Sequence, residues 1–319
     1  MICRACGSSK TRRLGRLEPY LDYSADVYAC HGCGCRFCEH DADVHERLHA
    51  TGTGGYAGHV LHAQRAAEYF NRGDVSGLRR YVCSMRTLRH VVKAVEAVGG
   101  ARRVVEFGCS RGTLSSYFIL AGYQTLGVDV SATTVEAATR LFGPHFVTMG
   151  SARIEAERPF DAVVHTGTIG CVASPLDFTR MLLDLLRPGG VLAFNSPNVA
   201  ACRPGRLWID GATPPDLVTL FDARYWQERF GDEADVSVYR ELESGPARLN
   251  RMLRGISPPP RRALHGEPGQ ASSGRRGFGK RLLAAGFAAV GRMGLGRLLA
   301  ARPTMYGMMV TMIKRQAPA

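Results

Sequence analysis

The sequence predicts an α/β protein, with a mostly parallel sheet covered by helices on both faces and a small cysteine-rich, metal-binding domain ahead of it. Three observations predict this. Between residues 103 and 196, short apolar runs alternate with segments of helical period. The first run leads into a glycine loop, EFGCSRG, and the second ends on an acid, Asp129. Ahead of both, Cys3-x-x-Cys6 and Cys30-x-x-Cys33 stand 23 residues apart.

The elements justify themselves in order. The first 45 or so residues are rich in cysteine and poor in apolar periodicity, and HATGTGGYAGH (49–59) reads as a glycine-rich connector. From Val75 to Val98 apolar residues recur at helical spacing (Val82, Met85, Leu88, Val92, Val95), and two glycines at 99 and 100 stop the run. RVVEFG is a buried strand, TLSSYFILA a helix, TLGVDV a second strand, TTVEAATRLF a helix and HFVTMG a third strand. FDAVVHTG is the fourth strand. SPLDFTRMLLDLL is a helix with Ser174 as N-cap, Pro175 at its first position and Asp177 in its first turn. PGG turns the chain into VLAFNSPN, the fifth strand. FDARYWQERF reads as a helix, and ADVSVYREL and YGMMVTMIKR as two last strands. The expected organisation is 1–45 metal-binding domain, 46–100 linker and helical lead-in, 101–242 core, 243–305 basic and partly helical insertion, and 306–319 last strand and tail.

Composition bounds the class. A chain of 319 residues with 45% hydrophobic content can bury one large core and a small one. No apolar run is long enough to cross a bilayer, and MICRACGSSKTRR is not a secretory leader. Both points lead us to expect a cytoplasmic protein, where C-x-x-C pairs read as metal ligands and not as disulfides.

Glycines at 108 and 112 let the chain turn tightly at the mouth of the sheet, where the following helix presents free N–H groups. A carboxylate at Asp129 can accept both hydroxyls of a ribose. A dinucleotide fingerprint wants G-x-G-x-x-G, and Ser110 stands where its second glycine belongs. GCSRG also matches the nucleophile elbow G-x-S-x-G, although such an elbow follows several strands of its sheet and none is read before residue 103. The span 100–200, through VVEFGCSRG, GVDVS, FDAVV and LLRPGGVLAFNSPN, resembles class I S-adenosylmethionine (SAM)-dependent methyltransferases. That resemblance implies a Rossmann-like sheet of seven strands. It implies that Glu106, Gly108, Cys109, Ser110 and Gly112 border the methionine part of SAM, that Asp129 binds its ribose, and that Val130 lies beside the adenine. Ser151 and Ala152, in a GSA loop, take the place of a segment that often carries an Asp to the adenine. His165, at the end of strand four, faces the transfer site by the same resemblance and is the best base candidate there.

After strand four, related enzymes often carry a Glu-His pair; here Gly170 and Cys171 stand in those positions. NSPN (195–198) is similar to the N-P-P-Y motif of amino-group methyltransferases but follows strand five, and is discounted.

Two C-x-x-C knuckles are the pattern of a zinc ribbon, in which Cys3, Cys6, Cys30 and Cys33 wrap one structural Zn2+. Cys35, Cys38, His31 and His40 are taken as non-ligands. A ribbon, a methyltransferase core and then TPPDLVTLFDARYW resemble a bacterial group that methylates sugars and other small molecules in polysaccharide and natural-product pathways. Its members often carry a histidine after the PP, where this chain has Asp216, either a substitute polar group or a helix N-cap.

The net charge of +13 is local: Arg248 to Arg302 holds twelve Lys/Arg against one acid, Glu267. Within it, 275–303 carries apolar residues and arginines at helical intervals. It reads as a helical cover, as a peripheral contact with an anionic membrane or lipid-linked substrate, or as a nucleic-acid grip. The expected partner is a small-molecule acceptor such as a sugar, O-methylated at a hydroxyl; an RNA methyltransferase and a non-catalytic binding module are the rivals. The sequence does not set the oligomeric state.

Overall fold

The computed structural model describes residues 1–17, 24–39, 57–209, 214–243 and 302–316. The chain divides into two units, Met1–Arg240 with Met305–Ala319, and Glu241–Thr304. Nearly all described residues belong to the first. The basic segment 248–302, His40 and Tyr56 lie outside the described residues, apart from the backbone of Arg302.

The main sheet has seven strands: β4 (Arg103–Phe107), β5 (Gln124–Asp129), β6 (Phe146–Thr148), β7 (Phe160–His165), β8 (Leu186–Ser196), β10 (Ala234–Glu243) and β11 (Arg302–Lys314). Their order is β10-β11-β8-β7-β4-β5-β6. The pairs β4–β5, β5–β6, β4–β7 and β7–β8 are parallel, and β11 runs antiparallel to β8. Four residues of five in β4, and five of six in β7, are buried, because helices cover both faces. The sequence-predicted class, a Rossmann-like mostly parallel sheet of seven strands, is what the chain forms.

One face of the sheet packs Val105, Phe107, Val128, Val163 and Phe194 against α7 (Pro175–Asp184) and α8 (Ala223–Phe230). The other packs Val104, Ala162, Val164 and Ala193 against α1 (Ala57–Phe70), α2 (Val75–Ser84), α3 (Arg86–Glu96) and α4 (Thr113–Leu120). The apolar periodicity from Val75 to Val98 suggests one continuous helix, but the structure breaks it. Met85 adopts extended backbone (φ −86°, ψ 119°) and its N–H caps Val82 O, so α2 ends and α3 begins there. The stripe of Leu88, Val91, Val92 and Val95 on α3 is the part that meets the sheet. Helix α7 starts as expected, with Ser174 at its N-cap, Pro175 in its first turn and Asp177 accepting from the Ser174 hydroxyl. Two further helices follow their strands, α5 (Ala132–Phe142) and the short α6 (Ala152–Ala156).

A second sheet carries the cysteines. Strands β1 (Thr11–Arg16), β2 (Asp26–Cys30) and β3 (Arg36–Cys38) form an antiparallel meander. Its fourth strand, β9 (Thr219–Leu220), comes from far along the chain and pairs antiparallel with β3. Among the described residues, no helix is long and apolar enough to cross a membrane.

Candidate functional site

The parallel strands β4, β5, β7 and β8 end side by side, and in an open α/β sheet the crevice beyond those ends is where ligands bind. At the end of β4, the Glu106 carboxylate is 3% exposed and accepts from Ser115 N at 2.9 Å and Ser115 Oγ at 2.5 Å, both in the first turn of α4. Burial pushes its pKa up to about 8; the Ser115 bonds oppose this and the Asp129 charge adds to it. Gly108 then turns at φ +67°, and a Cβ there would stand 2.2 Å from Thr168 Oγ1. Ser110 follows at φ +48°, an unusual conformation for a residue with a side chain. Its N–H donates to Asp129 Oδ2 at 2.8 Å, and Ser131 N donates to Oδ1 at 3.0 Å. Both Asp129 oxygens are held by backbone, and each keeps a lone pair for a ligand hydroxyl.

Beside this carboxylate stand two exposed apolar side chains, Val130 (65% exposed) and Met149 (40%), the latter tied by Met149 N to Asp129 O at 2.9 Å. Met149 carries no sequence motif; only the β5–β6 register brings it here. His59, in the first turn of α1, places Nδ1 3.0 Å from Ser110 Oγ. The Ser151 hydroxyl accepts from Arg153 N and caps α6, which Ala152 begins. Cys109 is buried under the loop, its N–H bonded to Val128 O.

The other wall follows β7. His165 is fully buried, its ring stacked 4.5 Å from Phe194 and also against Phe178, and neither ring nitrogen has a hydrogen-bond partner among the described residues. Burial pushes its pKa down to about 3, so the ring is neutral. It lies within the apolar layer between sheet and α7, packed on Phe178 and Phe194. The loop after β7 is tied by Gly167 N to Asn195 Oδ1 at 2.8 Å. Cys171 donates its thiol to Asp216 O at 2.8 Å, and burial pushes that thiol up to about 12. Asp216 places one carboxyl oxygen, Oδ1, in a buried position with no partner among the described residues. Burial raises its pKa to about 6.

A family model described as a methyltransferase domain matches residues 63–239, which include every loop just described. The chain belongs to this family. Curated relatives of the methyltransferase include the ubiquinone biosynthesis O-methyltransferase of Xanthomonas campestris pv. campestris, 30% identical over 150 residues, 44% of this chain and 62% of that one. The enzyme of the same name from Ruegeria pomeroyi is 30% identical over 95 residues, 28% of this chain and 38% of that one. The matches thus span only about two fifths to three fifths of these relatives. Among solved structures, the CcbJ methyltransferase of Streptomyces caelestis is 23% identical over 36% of this chain and 51% of its own, with TM-score 0.32. CalS10, an amino pentose methyltransferase of Micromonospora echinaspora, is 15% identical over 47% of this chain and 82% of its own, with TM-score 0.38.

The methyltransferase has a second candidate centre in its cysteine sheet. The sulfurs of Cys3, Cys6, Cys30 and Cys33 all lie within 4.8 Å of one another. A tetrahedron with metal–sulfur bonds of ~2.3 Å has edges of about 3.8 Å. Here Cys3–Cys33 is 3.8 Å and Cys6–Cys30 is 3.6 Å, so the donor set fits a zinc-sized ion. Cys35 and Cys38 point elsewhere, to Cys33 O and Val218 O.

Proposed function

We propose that the protein moves the methyl group of SAM onto a hydroxyl of a small-molecule acceptor, a sugar or secondary metabolite. The observation that carries the acceptor chemistry is Asp216. A carboxyl with a buried oxygen that has no partner among the described residues, and a pKa raised to about 6, is suited to take a proton from an incoming hydroxyl near neutral pH.

On this reading Glu106, Gly108, Cys109, Ser110 and Gly112 cradle the methionine end of SAM, Asp129 holds the ribose hydroxyls, and Val130 and Met149 face the adenine. Ser151, whose hydroxyl also caps α6, and Ala152 border the adenine from the loop after β6. SAM supplies a methyl carbon on a positively charged sulfur. The acceptor oxygen's electron pair forms the new C–O bond as the C–S bond breaks, and the hydroxyl proton passes to Asp216. The main demand on the protein is in-line approach, which the walls after β5 and β7 would set. The four cysteines would hold Zn2+ as thiolates with no coordination position left open, which is a structural role.

The test is methyl transfer from labelled SAM to a panel of sugar and phenolic hydroxyls, followed across pH. The expected profile rises through about pH 6 in the parent, where Asp216 loses its proton. In Asp216→Asn, kcat falls by a factor on the order of 100 or more and that limb disappears, while SAM affinity stays within threefold. An unchanged limb in the variant would remove Asp216 from the chemistry. SAM binding without transfer to any acceptor would favour a binding module.

A further inference from the structure

We propose that the four-cysteine sheet sets the acceptor wall: metal loading fixes the segment 214–221, and with it Asp216, while the SAM end folds independently of the metal. This rests on the reading of Asp216 as the acceptor side.

The segment is clamped from two directions. From the cysteine sheet, β3 pairs Arg36 with Leu220 and Phe37 with Thr219. Cys38 adds its N–H to Val218 O at 3.0 Å, and its thiol to the same oxygen at 3.6 Å. From the core, Gly170 O accepts from both Val218 N (2.9 Å) and Thr219 N (3.0 Å), and Pro197 O accepts from Phe221 N at 2.9 Å. The segment is therefore the joint between the cysteine sheet and the loops that follow β7 and β8. Leu217 to Phe221 are all fully buried. Leu217, Val218 and Leu220 pack with Val27, Cys38 and Trp208.

The metal-ligand knuckle also reaches α8, which follows the joint directly. Ala5 lies between Cys3 and Cys6, and its carbonyl accepts from Tyr225 Oη at 2.7 Å. Cys3, Cys30 and Cys33 share one apolar cluster with Phe37, Phe221 and Tyr225. Small sheets held by a metal take their folding energy from it, so the edge that holds Val218 and Thr219 depends on the ion.

The joint also explains the Gly170–Cys171 pair. A Cβ on Gly170 would lie 2.2 Å from Leu217 Cδ1 and 2.6 Å from Pro197 Cγ. The space that a larger side chain at 170 would fill is taken by the segment from 214 to 221. That segment brings its own carboxylate, Asp216, to the loop. The hydrogen bonds of the SAM end are of another kind: Ser115 to Glu106, and Ser110 and Ser131 to Asp129, are bonds within the core, and β4 and β5 meet the cysteines through the shared apolar cluster that includes Val105, Phe107 and Val128.

The experiment is hydrogen exchange on the full-length, zinc-loaded protein before and after removal of zinc by a chelator, with SAM titrated calorimetrically in both states. Exchange at the Val218, Thr219 and Phe221 amides should quicken at least tenfold. The Ser110, Ser115 and Ser131 amides should change less than twofold, and SAM affinity less than threefold. Tyr225→Phe keeps all four cysteines and should quicken the same three amides to a smaller degree. Uniform loss of protection, or none at 218–221, would overturn the proposal. None of these readouts uses an acceptor. A failed pH test on Asp216 would therefore sink the catalytic reading without touching the coupling, and a failed exchange test would do the reverse.

Discussion

The two walls of the site are assembled over very different distances along the chain. At the SAM end, Ser115 reaches Glu106 across 9 residues and Ser110 reaches Asp129 across 19. At the proposed acceptor wall, Cys171 meets Asp216 across 45 residues and Cys38 meets Val218 across 180, and beside it Tyr225 meets Ala5 across 220. The first wall is built on one βαβ unit, to which His59 of α1 and Met149 after β6 add side chains. The second is a joint among three parts of the chain. A short-range wall tolerates change elsewhere in the molecule; a long-range one inherits every disturbance of its partners.

The sharpest way to break the comparison is to attack the local wall at one atom group. Asp129→Ala removes both oxygens available to the ribose hydroxyls. Hydrogen bonds to a charged group contribute about 1.5–3 kcal/mol each. Two of them predict a loss of SAM affinity on the order of a hundredfold or more, measured by calorimetric titration. The fold should persist, since Asp129 sits at the end of β5 and its lost partners, Ser110 N and Ser131 N, lie in part-buried loops. Undiminished SAM binding would remove the ribose role, and with it the basis for the whole assignment of that wall.

The same difference in distance decided what was legible in the sequence. Alternating strands and helices, the glycine loop and the acid after the second strand are local patterns, so the seven-stranded sheet and the Glu106–Asp129 cluster could be read from it. The continuous period from Val75 to Val98 concealed a break, because the extended backbone at Met85 does not interrupt an apolar stripe. Met149 was invisible, since nothing in its neighbourhood says which strand it faces. Strand β9 was invisible for a stronger reason: two residues carry no period at all, and only pairing with β3 makes them a strand. The signal that existed was the run LVTLF (217–221), apolar but for Thr219, too short for a helix and preceded by two prolines and an acid.

A smaller effect tests the long-range wall. Gly170→Ala places a methyl group against fully buried Leu217. Overpacking of this kind costs about 1–3 kcal/mol, and the strain falls on the segment carrying Asp216. The expected result is a rise of about tenfold in KM for the acceptor with SAM affinity within twofold. Equal losses on both substrates would mean that the two walls are not separable.

The smallest effect concerns His165, which stands on β7 between the two walls. Its ring nitrogens are buried without partners among the described residues, and an unsatisfied buried polar group costs about 1–3 kcal/mol. His165→Leu should therefore retain methyl transfer within about twofold and raise the unfolding midpoint by a few degrees. The pH dependence has a definite sign. Burial holds the folded ring's pKa near 3, against an ordinary value of 6.5. Between those values the unfolded chain binds the extra proton, so the parent loses stability as pH falls from about 6.5 toward 3. The variant lacks that loss, and its thermal advantage should widen between pH 7 and pH 5. A hundredfold fall in kcat with the midpoint unchanged would reverse the argument, making His165 the base and Asp216 a structural carboxyl. The acceptor wall would then be a product of β7 itself, as local as the SAM end.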